Sequence, residues 1–469
     1  MIRIFRHYMP RWSLLLVVLE ALSFIGAVYA GVGLRFLGQT IPGDMNEFTE
    51  LLPRALTFML VMVISMTATG RYQRLMEDGI TGEALRVATS VILGLLAMAF
   101  VFYALPDLFL GRGALGYALL CAILAVILLR WFFFAFLLDQ QALHRRILVF
   151  GAGERAAMLL RPGAAEIHEE VVGFWPAPGE ALAIPPERVI QSDIPLRDFI
   201  EERQINEIIL ASTPPAAPGI MAQLLDAKAH GIIVTDLAGF YERELCLIHM
   251  EAITPEWWVL YSEGLHANVL REVTKKIFDI GVSLLLLFAL WPLMFLTALA
   301  IRLEDGGPVI FRQPRVGYGG RIFEVMKFRS MRRDAEGDGV PRWASENDAR
   351  ITRVGRFIRK ARLDELPQLF NVLRGEMSLV GPRPERPEFV QMLSQRIPYY
   401  SERLRVKPGV TGWAQISYGY GASENDACEK LKYDLYYVKN HGLFLDLMVL
   451  VQSLEVVLFG GDAPGPRRH

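Results

Sequence analysis

The sequence predicts a membrane protein in three parts. Residues 1–144 form a bundle of four membrane-spanning helices, residues 145–265 a small parallel α/β domain, and residues 266–469 a helix-rich, basic domain with a re-entrant helical hairpin. Hydrophobic residues make up 52% of the 469-residue chain, which is too apolar for an ordinary soluble protein. Strand-like and helix-like segments alternate after residue 146, and a fifth apolar stretch has basic residues at both ends.

Four apolar stretches in the first third of the chain are each close to the roughly 20 residues that cross a bilayer as a helix. They lie at residues 14–36, 51–68, 87–105 and 115–138. Basic residues precede the first stretch, as in a signal peptide, but it continues without a small-residue cleavage site, which favours a retained anchor. Arg130, inside the fourth stretch, is expected to mark its cytoplasmic end.

Loop charges orient this bundle, because Lys and Arg gather on the cytoplasmic side. Arginines precede the first stretch, separate the second from the third and follow the fourth, whereas acidic residues lie between the first and the second. Both ends of the bundle are therefore expected inside. Cys121, Cys246 and Cys428 lie far apart, which suggests neither a disulfide framework nor a thiolate metal site.

The α/β domain begins with a short apolar strand at residues 147–150, which a turn containing Gly151 and Gly153 follows. Strand-like runs recur at residues 171–174, 208–211 and 232–234, and helical patterns separate them, which is typical of a parallel sheet. The pattern Gly151-x-Gly153-x-x-Ala156 also occurs in dinucleotide sites, where an acidic residue ends the second strand. This chain has Trp175 and Pro176 there. A Rossmann-like domain whose glycines serve only the turn is therefore preferred to a dinucleotide site.

The fifth apolar stretch, residues 277–301, is long enough to span a membrane. Basic residues from Arg271 to Lys276 precede it and Arg302 follows it, so a single crossing would place one basic cluster outside. Pro292 lies at its middle and disfavours continuous helical geometry. These features predict a re-entrant hairpin, 277–301, that returns to the same membrane face.

Residues 302–407 are basic, with 22 Lys and Arg against 14 Asp and Glu. Such a surface suits an anionic partner. A nucleic acid is disfavoured, because neither a recognition helix nor an aromatic RNA-binding motif accompanies the charge. Beside a membrane hairpin, the charge is expected to face lipid headgroups and phosphorylated substrates. Residues 443–459 are expected to form an interfacial or packing helix.

The candidate chemistry centres on adjacent Asp364 and Glu365, which lie among Arg359, Lys360 and Arg362. Nearby cations keep a carboxylate ionised, and a hard ion such as Mg²⁺ can bridge a carboxylate to a phosphate. An isolated Asp-Glu pair is more simply a solvated helix N-terminus, but further basic residues can neutralise diphosphate oxygens here. They are Lys327, Arg329 and Arg383. Two prolines flank Arg383 and hold its side chain in place for such a role, or else they form only a rigid turn at the surface.

Four ordered segments, KFRSM from Lys327, RKARLDELPQ from Arg359, GPRPE from Gly381 and KPGVTGW from Lys407, follow the proline-broken hairpin. Together they resemble the bacterial sugar transferases, the polyprenyl-phosphate hexose-1-phosphate transferases or monotopic phosphoglycosyl transferases. The resemblance covers roughly residues 271–459. The preceding spans and Rossmann-like domain resemble the large members of this family, which initiate exopolysaccharide or O-antigen synthesis.

The resemblance implies transfer of a sugar 1-phosphate from a UDP-sugar to undecaprenyl phosphate, with release of UMP, at the cytoplasmic face of the bacterial inner membrane. It makes Asp364 the nucleophile that forms an aspartyl phosphosugar, and Glu365 the ligand of Mg²⁺. Lys327, Arg359 and Arg383 would assist phosphate binding, and Pro292 would break the hairpin. It also suggests a homodimer. The sugar stays open among glucose, galactose and N-acetylated sugars.

Two other functions compete with this interpretation. A membrane-anchored scaffold could sense nucleotides through the α/β domain, and it would not need the Asp364-Glu365 pair. A membrane-anchored nucleotide-sugar dehydratase would need a second nucleotide-binding fingerprint and a Tyr-x-x-x-Lys pair in the C-terminal half, and the sequence contains neither there.

Overall fold

The structure is a computed structural model. Its chain forms two compact units, one made chiefly of residues 8–143 and the other chiefly of residues 144–469. It describes residues 2–4, 7–9, 11–37, 48–68, 79–136, 145–161, 170–190, 195–212, 218–262, 268–332, 348, 350–419, 421 and 423–459. Several of the loop charges that orient the predicted bundle, including Asp44 and Arg71, lie outside the described residues.

The first unit contains helices at all four predicted apolar stretches. They are α1 (Arg11–Arg35), α2 (Phe48–Ala68), α3 (Gly79–Ala104) and α4 (Arg112–Phe136). Two short strands, β1 (Ile2–Ile4) and β2 (His7–Met9), pair near the N-terminus. Among the described residues, three helices are long and apolar enough to cross a membrane: α1, α4 and a later helix of the second unit. The count of four spans stays a prediction.

Helices α1 and α4 pack closely against each other. A side chain at Gly31 would collide with the backbone of Ala118, so glycine permits this approach. Arg130 of α4, predicted at a cytoplasmic end, is buried and donates to the buried Glu20 of α1, with an Nε–Oε1 distance of 2.6 Å. Buried charges need such partners in an apolar bundle, so this ion pair fixes which faces of the two helices meet.

The second unit begins with the predicted α/β domain. Its four parallel strands lie in the order β4-β3-β5-β6. They are β3 (Arg146–Phe150), β4 (Glu170–Trp175), β5 (Glu207–Leu210) and β6 (Ile233–Asp236). The helices are α5 (Glu154–Ala157), α6 (Leu196–Glu202), α7 (Pro218–Ala229), α8 (Leu237–Leu245) and α9 (Pro255–Tyr261). Leu148, Phe150 and Ile208 are buried on the sheet, which confirms the predicted strands.

The remainder of the unit is helix-rich, and its described residues include two pairs of strands. Its helices are α10 (Val269–Asp305), α11 (Arg353–Lys360), α12 (Gln368–Leu373), α13 (Pro387–Arg396), α14 (Trp413–Ser417), α15 (Glu424–Asn440) and α16 (Leu443–Phe459). Strands β7 (Ile310–Val316) and β8 (Ile322–Phe328) are antiparallel, whereas β9 (Ser378–Val380) and β10 (Gly409–Thr411) are parallel.

Helix α10 contains the predicted hairpin segment, and helical geometry continues through Pro292. Near its first end, Asp279 accepts a hydrogen bond from the Leu379 amide at 3.3 Å. Near its last end, Ile301 packs against Phe328 and Ile358. The apolar side chains between these two anchored ends are largely exposed: Leu284, Leu285, Phe288, Trp291, Phe295, Leu296 and Leu299. The hairpin itself stays a prediction.

Helix α16 packs against this domain, which agrees with the predicted packing role of residues 443–459. Its Asp446 is fully buried and accepts hydrogen bonds from Lys275 at 2.7 Å and from the Tyr437 hydroxyl at 2.6 Å. Burial raises the pKa of Asp446, and the Lys275 ammonium opposes that shift. This buried network attaches the start of α10 to the domain.

The α/β domain contacts the helix-rich domain through buried polar side chains. Glu242 of α8 accepts hydrogen bonds from Lys439 at 2.6 Å and from Asn440 at 2.9 Å, at the end of α15. The Trp258 indole N–H of α9 donates to Glu402 at 2.9 Å. Because buried charges are stable only when paired, these contacts fix the two domains in one orientation.

Candidate active site

Asp364 and Glu365 lie on a short 3₁₀ turn, Leu363–Glu365, just after α11. Arg362 adopts a left-handed backbone conformation there, with φ of 54°. Such a conformation is uncommon for a residue with a side chain, and it separates the end of α11 from the turn. Both acidic side chains are nearly buried, with exposures of 8% and 9%.

Strand β8 supplies Lys327, and Asn371 of α12 attaches that strand to the helix after the acidic pair. The fully buried Asn371 side chain accepts from the Met326 amide at 3.0 Å and donates to the Glu324 carbonyl oxygen at 2.8 Å. Among the described residues, no neighbouring strand pairs with these two backbone groups of β8, and the Asn371 side chain supplies their hydrogen bonds instead. Buried backbone groups are stable only when they are paired in this way. Lys327 is therefore held beside Glu365.

Arg383 lies in the loop after β9, and this loop runs against the start of β10. The Gly381 amide donates to the Thr411 carbonyl oxygen, and the Gly409 amide donates to that of Pro382, both at 2.9 Å. A side chain at Gly381 would collide with the Lys407 carbonyl oxygen, so the close approach requires glycine. The loop that presents Arg383 is thus fixed along its backbone.

Glu365 is where these elements meet. Its Oε1 accepts hydrogen bonds from Lys327 Nζ at 3.1 Å and from Arg383 Nη2 at 2.6 Å. Burial alone would raise the pKa of Glu365, but the charges of Arg383 and Lys327 prevail and hold it well below its usual range. Burial lowers the pKa of Lys327, whereas the charge of Glu365 raises that of Arg383. Glu365 is therefore the ionised anchor of two cations.

Asp364 differs from its neighbour, because its carboxylate accepts no hydrogen bond from the described part of the chain. Burial raises the pKa of Asp364, and the negative charge of Glu365 raises it further. The cations Lys327, Arg383 and Arg359 oppose these effects without a direct contact. Among the described residues, the site thus combines one carboxylate that binds two cations with one that accepts no hydrogen bond.

The structure brings most predicted site residues together, but not all of them. Arg359, at the end of α11, acts on Asp364 through its charge, with no hydrogen bond to the pair. Arg329 lies one residue beyond β8, where its guanidinium pairs with Asp305 at the end of α10. The structure does not bring Arg329 to the acidic pair, because the helix terminus provides a nearer carboxylate. Pro292 lies within the exposed segment of α10.

The sequence does not predict the residues that hold the strand and the loop of the site in place. Asn371 and the buried Arg403 act through tertiary contacts, and nothing in their spacing predicts those contacts. The sequence indicates only the charge of Arg362, which helps lower the pKa of Glu365. A left-handed arginine leaves no signal in the sequence, because glycine and asparagine are the usual markers of that geometry.

The donor set fits a Mg²⁺ ion only with help from a substrate. The described residues contain no cluster of three or more His, Cys, Asp or Glu side chains that could hold a metal. Both cations donate to Glu365 Oε1, and Glu365 Oε2 accepts no hydrogen bond from those residues. Mg²⁺ often binds one or two carboxylates and completes its shell with water and phosphate oxygens. Glu365, beside Asp364, could hold the ion in that way.

Fold and site together define a domain with a long apolar helix, in which a buried pair of carboxylates lies beside cations that are suited to phosphate. A family model described as bacterial sugar transferase matches residues 270–460. A UDP-glucose:undecaprenyl-phosphate glucose-1-phosphate transferase of Caulobacter vibrioides is 41% identical over 198 residues, which are 42% of this chain and 74% of that protein. The chain belongs to the bacterial sugar transferase family.

Two other relatives are also similar to this chain. A UDP-N-acetylgalactosamine-undecaprenyl-phosphate N-acetylgalactosaminephosphotransferase of Aeromonas hydrophila is 40% identical over 263 residues, 52% of this chain and 62% of the relative. An undecaprenyl-phosphate glucose phosphotransferase of Komagataeibacter xylinus is 46% identical over 194 residues, 40% of this chain and 36% of the relative. The chain thus spans less than two thirds of the length of these two relatives.

A second family model, described as a CoA-binding domain, matches residues 67–214. The glycine turn after β3 does not fit the phosphates of such a ligand. The Ala152 amide already donates to Glu180 Oε2 at 2.9 Å, and a side chain at Gly153 would lie 2.6 Å from Glu180 Oε1. The negative charge of the Glu180 carboxylate would repel an anion at this turn. Gly151, with φ of 118°, lies against the Ser212 backbone, which gives it a structural role.

Proposed function

We propose that this chain transfers a sugar 1-phosphate from a UDP-sugar to undecaprenyl phosphate, at the cytoplasmic face of the bacterial inner membrane. The observation that supports this most directly is the asymmetry of the acidic pair, since Glu365 binds two cations and Asp364 accepts no hydrogen bond from the described residues. A nucleophile must be free to approach phosphorus, whereas a charge-holding residue need not be. The names of the relatives support the substrate classes.

The proposed reaction has two steps at the same carboxylate. An Asp364 oxygen attacks the sugar-bearing phosphorus of the UDP-sugar, and the bond from that phosphorus to the bridging oxygen breaks, so that UMP leaves with the oxygen. An oxygen of the lipid phosphate then attacks the same phosphorus and releases the carboxylate. The product is a lipid diphosphate sugar, the initiating intermediate of exopolysaccharide or O-antigen synthesis.

Each cation of the site has a distinct part in this reaction. Lys327 and Arg383 both donate to Glu365 Oε1, so a diphosphate bound beside Asp364 would meet both charges. Arg359, which acts on Asp364 at longer range, would help to keep the carboxylate ionised. Mg²⁺, when bound at Glu365, would neutralise the charge that develops as the diphosphate breaks. A homodimer, as the resemblance suggests, stays part of the proposal.

The re-entrant hairpin belongs to this proposal, because one site must meet a soluble donor and a lipid acceptor. Two observations support it. Asp279 and Ile301, from opposite halves of α10, both contact the helix-rich domain, and the apolar segment between them is exposed. A segment with both ends held by one domain can enter the bilayer and return to the same face.

The activity is tested with purified full-length protein, Mg²⁺ and undecaprenyl phosphate in detergent. A panel of UDP-glucose, UDP-galactose and their N-acetylated forms is offered, and released UMP and lipid-linked sugar are measured. We expect equal amounts of both products from at least one donor. A protein that binds these donors but releases no UMP would instead favour the nucleotide-sensing scaffold.

The pH dependence of kcat/KM should show an acid limb set by Asp364. Its carboxyl must be ionised to attack, and its pKa lies above the ordinary value because of burial and Glu365. The rate is therefore expected to fall as pH decreases through that raised pKa, while Glu365, with a lowered pKa, stays ionised. Replacement Arg359→Gln removes an opposing positive charge and should move the limb to higher pH.

Arg356→Gln is the matched control, since Arg356 is an exposed residue of the same helix and is not among the charges that act on Asp364. Its acid limb should coincide with that of the wild type. If Arg359→Gln and Arg356→Gln gave the same limb, Asp364 would not be the group that titrates.

Replacement Pro292→Leu should favour a straight helix and reduce transfer to the lipid. Leucine restores the backbone donor that proline lacks, which stabilises a continuous helix. Accessibility of a cysteine introduced at Arg315, with the native cysteines replaced, reports the side of the membrane. We expect cytoplasmic labelling in the unaltered hairpin and in the control Leu285→Ala. Periplasmic labelling of the Arg315 position with Pro292 in place would exclude the hairpin.

A further inference from the structure

Arg403 contacts the loop that presents Arg383, although it does not contact the acidic pair. It belongs to the 3₁₀ segment Tyr400–Arg405 and is buried. Its Nη2 donates to the Arg383 carbonyl oxygen at 2.9 Å. Its Nε and Nη2 donate to Asp434 Oδ2 at 3.0 and 2.7 Å, and its Nη1 to the Tyr400 hydroxyl at 3.0 Å.

This contact is one of three along the same stretch of backbone. The Pro382 carbonyl oxygen accepts from the Gly409 amide at 2.9 Å, and the Pro384 carbonyl oxygen accepts from Arg315 at 3.1 Å. Three consecutive carbonyl groups are thus held, with Arg383 in the middle. Pro384 also restricts the backbone of the residue before it to extended geometry. The backbone from which the Arg383 side chain extends is therefore held in one conformation.

The pairing of Arg403 with Asp434 does more than stabilise the fold. A buried ion pair contributes little net stability compared with apolar residues of similar size, because both charges lose their hydration. The planar fork of arginine can join a carboxylate, a hydroxyl and a carbonyl group at once, which a lysine ammonium cannot do with the same geometry. That geometry sets the position of the Arg383 backbone.

We propose that Arg403, held by Asp434, is a positioning residue that aligns Arg383 for the diphosphate of the UDP-sugar. The inference rests on the proposed function, because Arg383 must bind that phosphate group. Glu402, the neighbour of Arg403, accepts a hydrogen bond from Trp258 of the α/β domain. The α/β domain thereby supports the same segment, which gives it a part in the site without a ligand of its own.

The test compares Arg403→Lys with wild type in the full-length protein. Displacement of a binding group by a fraction of an ångström should raise KM for the UDP-sugar about tenfold, with a smaller effect on kcat. In an Arg383→Lys background the same replacement should have no further effect, since the residue acts through Arg383. Arg396→Lys, an exposed arginine paired with Glu424, is the control and should match wild type.

A double variant, Arg403→Met with Asp434→Leu, removes the hydrogen bond without an unpaired buried charge. It should keep the unfolding temperature and show the same loss of UDP-sugar affinity, measured by calorimetry without turnover. Wild-type affinity in this variant, additive effects with Arg383→Lys, or loss of folding in both Arg403 variants would overturn the inference. Absence of UMP release by the wild type would instead contradict the proposed function alone.

Discussion

Replacement Asp364→Asn is expected to abolish transfer while leaving the folded protein at least as stable as wild type. Asparagine keeps the size of the side chain but is not a nucleophile, so the rate should fall by at least about a thousandfold. The carboxylate accepts no hydrogen bond from the described residues, so the replacement breaks none of the described hydrogen bonds. Released UMP and the unfolding temperature are measured on the same preparation.

The sign of the stability change follows from the raised pKa of Asp364. The folded protein holds this proton more tightly than the unfolded chain, so stability decreases as pH rises through the raised pKa. At neutral pH the ionised Asp364 therefore destabilises the fold, and asparagine removes that cost. A marked loss of stability in Asp364→Asn would show that the carboxylate has a structural role instead.

Replacement Glu365→Gln should reduce both activity and stability. Glutamine cannot balance the charges of Lys327 and Arg383, which both donate to Glu365 Oε1. We expect a loss of about 1.5–3 kcal/mol in the free energy of unfolding, typical of hydrogen bonds to charged groups. Activity should fall by about a hundredfold or more, as when a preorganised electrostatic group is removed. The residual rate should require more Mg²⁺ for half-maximal activity.

The control for that variant is Glu388→Gln, an exposed residue of α13 that pairs with Arg386. It should leave the rate, the Mg²⁺ requirement and the unfolding temperature unchanged. Unaltered activity in Glu365→Gln would mean that Lys327 and Arg383 reach the substrate without this anchor, and the assigned role of Glu365 would be wrong.

The elements of the fold were predictable where local sequence decides them. Apolar runs of helical length gave α1 to α4, and short apolar strands between helical patterns gave the parallel sheet around Leu148 and Ile208. Glu20 and Arg130 show the limit of that reasoning. Each interrupts an apolar run, and only the packing of α1 against α4 shows that they pair.

The acidic pair and its cations were predictable as a group, but the separate roles of Asp364 and Glu365 were not. The two side chains are adjacent, and only the contacts of Lys327 and Arg383 show which one is held. Arg329 illustrates the converse, because its place beside Lys327 in sequence suggested phosphate binding, whereas Asp305 binds it. Charge spacing identifies candidates, and tertiary pairing decides which of them face the site.

The covalent intermediate is tested most directly by supplying a UDP-sugar labelled in the sugar, without lipid acceptor, and locating the label by mass spectrometry. We expect a phosphosugar on Asp364, formed with one equivalent of UMP and discharged by undecaprenyl phosphate into lipid diphosphate sugar. The Asp364→Asn protein should take up no label. Full transfer by that variant, or label on any other residue that the lipid phosphate discharges, would contradict the assignment of Asp364 as nucleophile.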